Sequence, residues 1–86
     1  MCALEEVMTC EISFIPLQAE NYGVEVEKVL ALIEKSGLEF HVGLMSTTIR
    51  GAGKNVWSLI MRIYEEMYSH NRFVLDLKVS NVCGCR

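Results

Sequence analysis

A chain of 86 residues can build one hydrophobic core and is too short for two, because the fraction of surface buried on folding falls as chains shorten; one domain over residues 1–86 is expected. Its residues are 51% hydrophobic and 22% charged with a single proline, which excludes a disordered or low-complexity chain. A formal net charge of -3 and a pI near 5.3 lack the basic footprint of a nucleic-acid binder. No apolar run approaches the roughly 20 residues of a membrane span, and Glu5 and Glu6 stand where a secretory signal would be basic.

A cytosolic protein is therefore expected, with Cys2, Cys10, Cys83 and Cys85 chiefly reduced thiols, since disulfides belong to oxidising compartments. The mean hydropathy of +0.26 is slightly high for so small a chain. Part of that apolar surplus is expected to lie against another subunit.

After a short leader, Met8 to Leu17 carries Cys10, Ile12 and Phe14 in alternation with Glu11, Ser13 and Ile15, the period of a half-buried strand. Pro16 ends it, because proline has no amide to give a ladder. From Tyr22 the apolar spacing turns helical through Val26, Val29, Leu30 and Ile33, with Asn21 placed as N-cap and Gly37 just past the C-terminus. Leu38, Phe40, Val42 and Leu44 then alternate with Glu39, His41, Gly43 and Met45, which predicts a second strand with those four apolar residues on the core side.

A break at Met45 and Ser46 opens a third strand, with Thr47 and Ile49 on one side and Ser46, Thr48 and Arg50 on the other. Gly51-Ala52-Gly53 interrupts the pattern, and a second helix is expected from Asn55 to about His70, with Val56, Leu59, Ile60, Ile63 and Met67 as its core stripe. Trp57, Met61, Tyr64 and Tyr68 form another stripe on that helix, either peripheral core or a subunit contact. Arg72 to Val82 alternates again and reads as the last strand.

The order β-α-β-β-α-β, in two halves of similar length, predicts an α+β ferredoxin-like sandwich: a four-stranded antiparallel sheet with two helices on one face and the other face open. The open face would gather Glu11, Ser13, Ile15, His41, Ser46, Thr48, Arg50, Asp76, Lys78 and Ser80. Polar alternation of this kind is normal for a solvated sheet or a subunit contact. Small hydroxyls beside a carboxylate can also read the ring nitrogens and amino group of a heterocycle. No nucleophile elbow, phosphate-cradling glycine loop or HExxH is present, so no catalytic residue is assigned and no cofactor is expected. Cys83-Gly84-Cys85 admits an alternative role in thiol or metal handling, although a structural metal site needs four ligands and only Cys2 and Cys10 could complete the set. A regulatory oligomerisation module is a third reading.

Ser13-Phe14-Ile15-Pro16-Leu17 and Met45-Ser46-Thr47-Thr48-Ile49-Arg50-Gly51, with the cysteine-bearing end of the last strand, resemble the YkoF-like thiamine and hydroxymethylpyrimidine-binding family over nearly the whole chain. The resemblance implies the same sandwich fold and non-enzymatic binding of thiamine or its hydroxymethylpyrimidine precursor. Because the name-giving members carry two such domains in tandem, it also implies a homodimer or homotetramer here. It places Ser46, Thr47 and Thr48 nearest the pyrimidine; Glu11 and Ser13 are added from strand alternation. The sequence departs from its relatives where Gly51 and Ala52 replace an acidic helix cap and where Cys-Gly-Cys replaces a cysteine-proline ending. Strand alternation makes Thr48 the more exposed to a ligand on the open face, unless a bulge or a strand end turns Thr47 toward it.

Overall fold

The computed structural model describes residues 7–17, 21–70 and 72–81. In chain order it contains β1 (Val7–Leu17), α1 (Tyr22–Lys35), β2 (Glu39–Val42), β3 (Thr47–Ala52), α2 (Gly53–Met67) and β4 (Arg72–Ser80). The strands form one antiparallel sheet in the order β2-β3-β1-β4. This is the ferredoxin-like α+β sandwich that the element order predicts. No helix among the described residues is long and apolar enough to cross a membrane.

The core lies between the sheet and the two helices. Met8, Cys10 and Ile12 of β1 and Ile49 of β3 meet Val29 and Ile33 of α1 and Val56, Leu59, Ile60, Ile63 and Met67 of α2. Their spacing explains the layer: every second residue of a strand faces one side, and residues three or four apart share a helix face. The core stripe expected on the second helix is wholly buried. Phe14 and Phe73 extend the layer, their rings 5.1 Å apart.

Local chemistry sets the ends of α1. Asn21 is its N-cap, its Oδ1 accepting from the Val24 amide at 3.3 Å, which satisfies one of the free amides of the first turn. Ser36 is the C-cap, and Gly37 follows at a φ of 77°, a left-handed conformation that a side chain disfavours.

Four boundaries differ from those expected; the simplest is the end of α2, which stops at Met67 with Tyr68 as C-cap rather than at about His70. β2 ends at Val42, and of the four residues placed on the core side by alternation only Leu38 packs against the core: Phe40 and Val42 are exposed at the sheet edge, and Leu44 is fully exposed beside the open Met45. The cause is the hairpin: pairing stops at Val42↔Thr47, and the Gly43 amide donates to the Ser46 carbonyl at 2.8 Å, so Gly43 to Ser46 turn rather than extend the strand. At Gly43 an added Cβ would lie 3.0 Å from that same carbonyl oxygen, tighter than a turn this close tolerates. α2 begins at Gly53 rather than Asn55, because Gly51 and Ala52 still pair with Met8 and Val7 and the helix starts directly off the strand. β4 is assigned to Ser80; Val82, the expected end, lies outside the described residues, as do Cys2, Cys83 and Cys85.

Candidate functional site

The site arises from a mismatch in strand length. β1 has 11 residues and β3 has 6, and their pairing stops at Ile12↔Thr47, whereas β1 pairs with β4 as far as Leu17↔Arg72. Beyond Ile12, β1 therefore has no strand on its β3 side, and the sheet carries a notch there. The Gly43–Ser46 turn stands at one edge of the notch and α1 covers its back.

Two side-chain contacts fix the turn against β1. Ser46 Oγ donates to Glu11 Oε2 at 2.7 Å, the short length of a bond to a carboxylate. Ser13 Oγ donates to the Met45 carbonyl at 3.2 Å. Glu11 and Ser13 are two apart on β1 and so project from the same, open face; the tight turn brings Ser46 across to meet them.

A cavity of about 520 Å³ fills the notch, within the range of small-molecule sites. Its back wall is apolar, made by Phe14, Val26, Val29, Leu30, Ile33 and Val42, and its polar groups are Ser13, Ser46, Thr47 and Asp76. A second, shallower cavity of about 230 Å³ lies on the open face, lined by Glu11, Ser13, Met45, Ser46, Asp76 and Lys78. Ser13, Met45, Ser46 and Asp76 border both, so the turn forms the partition between an apolar chamber and a charged mouth.

Of the five residues expected at the site, Glu11, Ser13 and Ser46 are brought together by these bonds. Thr47 and Thr48 are divided. Thr47, at the first position of β3, is 8% exposed, opposite Ile12 and Val42, and lines the larger cavity. Thr48 lies on the open face between Glu11 and His41 in the strand register and lines neither cavity. Alternation alone did not assign Asp76 or the α1 wall to a site. The signal available in the sequence was the excess length of the first strand over the third.

Cys10 is fully buried in the core. Burial, and then the neighbouring Glu11 carboxylate, push its thiol above the ordinary value, so it stays protonated. Among the described residues no group of three or more His, Cys, Asp or Glu side chains is arranged to hold a metal ion.

Fold and cavity define the class, a ferredoxin-like domain with a ligand-sized chamber at the end of its central hairpin. Residues 10–83 match the profile of the thiamine-binding protein family, and the chain belongs to that family. A search of curated proteins finds no match. Among solved structures, the chain is similar to a protein of Thermotoga maritima provisionally assigned to thiamine biosynthesis or salvage (21% identity, TM-score 0.77, covering 86% of this chain and 82% of that one). It is also similar to a domain of unknown function from Bacillus cereus (18% identity, TM-score 0.79, 98% and 84% covered) and to a protein from Streptococcus pneumoniae (12% identity, TM-score 0.79, 86% and 84% covered). At these identities the likeness is one of fold.

Proposed function

We propose that this protein is a cytosolic, non-enzymatic binding protein for thiamine or its hydroxymethylpyrimidine precursor, a single domain working as a homo-oligomer. The observation that carries the reading is the Ser46–Glu11 hydrogen bond at the partition between the two cavities, in a chain of the thiamine-binding family.

In this reading the aminopyrimidine enters the larger, apolar chamber, where Ser13, Ser46 and Thr47 offer hydroxyls that both donate and accept. Thr47 is at a strand end, a position from which a core-side hydroxyl can reach a ligand. The cationic thiazolium of thiamine then lies toward the mouth, where the two carboxylates of Glu11 and Asp76 outweigh the single cation of Lys78. Thr48 adjoins Glu11 and influences the ligand through it. Residues of this kind bind and orient a heterocycle, and nothing in the arrangement calls for bond making or breaking.

The test is a calorimetric titration with thiamine, hydroxymethylpyrimidine and the thiamine phosphates, paired with thermal melting. Saturable binding of thiamine or the pyrimidine, with a rise in melting temperature that follows ligand concentration, is expected. Absence of both signals for every compound would overturn the reading.

A further inference from the structure

A crevice of about 280 Å³ lies between the last turn of α1 and the flank of α2, and it shares no lining residue with the two cavities at the hairpin. Its floor is the margin of the core, formed by Leu32, Leu38 and the buried Leu59. Its polar walls are Lys35 from α1 and Asn55, Ser58 and Arg62 from α2. Asn55, Ser58 and Arg62 follow one another at helical spacing, so they share one flank of α2, beside Leu59.

The crevice is a set of donors without acceptors. All four wall side chains can donate, and Lys35 and Arg62 can only donate. Among the described residues none of the four has a hydrogen bond or an ion pair, although Glu34 and Glu66 are near the two cations in sequence. No carboxylate lines the crevice, in a chain with 11 acidic and 8 basic residues. The carbonyls at the end of α1 are already taken: those of Leu32 and Ile33 accept from the Ser36 amide at 3.1 Å each, and that of Glu34 from the Gly37 amide at 3.3 Å. Ser36 Oγ is engaged as well, donating to the Ile33 carbonyl and accepting from the Leu38 amide at 3.1 Å. Asn55 belongs to the first turn of α2, the positive end of that helix dipole, and the turn contains no acidic residue. Two unpaired cations above an apolar floor therefore create a local positive potential on an acidic protein.

We propose that this crevice binds a phosphate group, either free or as the head of a small phosphomonoester. A phosphate monoester is close to a dianion at neutral pH and so matches the two cations, whereas a single carboxylate leaves one of them unpaired. The Arg62 guanidinium can bridge two phosphate oxygens and the Lys35 ammonium can take another as a point charge. The Asn55 amide and the Ser58 hydroxyl supply neutral donors beside them. The volume is just under the usual range for small-molecule sites, which limits an organic body to a few atoms against Leu32, Leu38 and Leu59. This inference is independent of the ligand proposed for the hairpin cavity.

The test is an amide NMR titration of the isotope-labelled protein with inorganic phosphate and with phenyl phosphate, ionic strength being held constant with chloride. Saturable shifts at Lys35, Ser36, Asn55 and Ser58 are expected with both. Lys35→Gln and Arg62→Gln, each checked for native circular dichroism, should each weaken binding at least about fivefold, because each removes a charge-assisted hydrogen bond. Arg72→Gln removes the same charge at the start of β4, away from the crevice, and should leave binding within about twofold, the change that screened long-range charge allows. Tighter binding of phenyl phosphate would assign the leucine floor to the body of an ester, and equal binding would assign the site to the free anion; either supports a phosphate site. Shifts that do not saturate, that chloride alone reproduces, or that persist unchanged in the folded Lys35→Gln and Arg62→Gln proteins would overturn it.

Discussion

Thr47 and Thr48 are adjacent and chemically identical, yet the sheet gives them different surroundings: Thr47 is buried at the larger cavity and Thr48 sits in register with Glu11 and His41. Loss of one hydrogen bond to a neutral partner costs about 0.5–1.5 kcal/mol, and more when a ligand group is left buried and unpaired. Ser46→Ala combined with Thr47→Val is therefore expected to weaken affinity at least about tenfold, and Thr48→Val by no more than about threefold. Calorimetry on folded variants decides it; a larger loss from Thr48→Val would move the ring to the open face. Glu11→Gln separates the two candidate ligands, because it removes charge at the mouth without removing an acceptor. It should weaken binding of cationic thiamine several-fold and change binding of neutral hydroxymethylpyrimidine little. Equal effects would mean that Glu11 acts only by holding Ser46. Cys10 gives a prediction about pH. Its folded pKa is raised by burial and then by Glu11, so above the ordinary thiol value of 9.0 the unfolded chain loses a proton that the folded chain keeps. Stability from this group is full below that value and declines as pH rises through it. Denaturant midpoints from pH 7 to 10 should fall more for the parent than for Cys10→Ala, after each is referred to its own value at pH 7.

At the scale of elements, the two helices begin differently. α1 has a side-chain cap from Asn21, whereas Ala52, the N-cap of α2, makes no side-chain cap bond and the first turn of α2 has no acidic residue. Ala52 is exposed and extended, at φ -62° and ψ 138°, a conformation an aspartate adopts without strain. Ala52→Asp is expected to raise stability by about 1 kcal/mol, through a bond to a free amide and attraction to the helix dipole. An unchanged or lowered urea midpoint would show that the strand-to-helix junction cannot place the carboxylate. The strands show how an element can be recognised while its reach is misjudged. Leu44 continues the apolar alternation of Phe40 and Val42, but the turn closed by Gly43 and Ser46 ends the ladder first, and an i-to-i+2 pattern contains no record of where a partner strand stops.

At the scale of the molecule, the apolar surplus of the composition reappears as exposed side chains on α2, β2 and the Gly43–Ser46 turn. Monomers rarely expose so much in contiguous patches, so light scattering at micromolar concentration is expected to give at least twice the mass of one chain, and a mass near 10 kDa would refute the expectation. Replacing both Cys83 and Cys85 with serine is expected to leave the ligand response and melting temperature unchanged, since the core and the Glu11–Ser13–Ser46 cluster among the described residues are built without them. A loss of either would favour the thiol or metal reading.

The periods of the sequence by themselves determined the six elements and their order. Helical spacing in Val56, Leu59, Ile60, Ile63 and Met67 and alternation in β1 and β4 each admit one regular structure that buries an apolar face, and the order then leaves few ways to cover a single sheet. They also placed Glu11 and Ser13 on one face, because side-chain direction along a strand is local geometry, whereas it is the turn before β3 that carries Ser46 to them. What only the tertiary structure decided was depth and closure: that β1 outruns β3, that the gap is backed by Val26, Val29, Leu30 and Ile33 of α1, and that Asp76 from the far strand borders it. These depend on where two strands stop relative to each other and on which helix crosses the gap. Distances between residues remote in sequence follow from packing the whole chain, not from the periodicity of any segment.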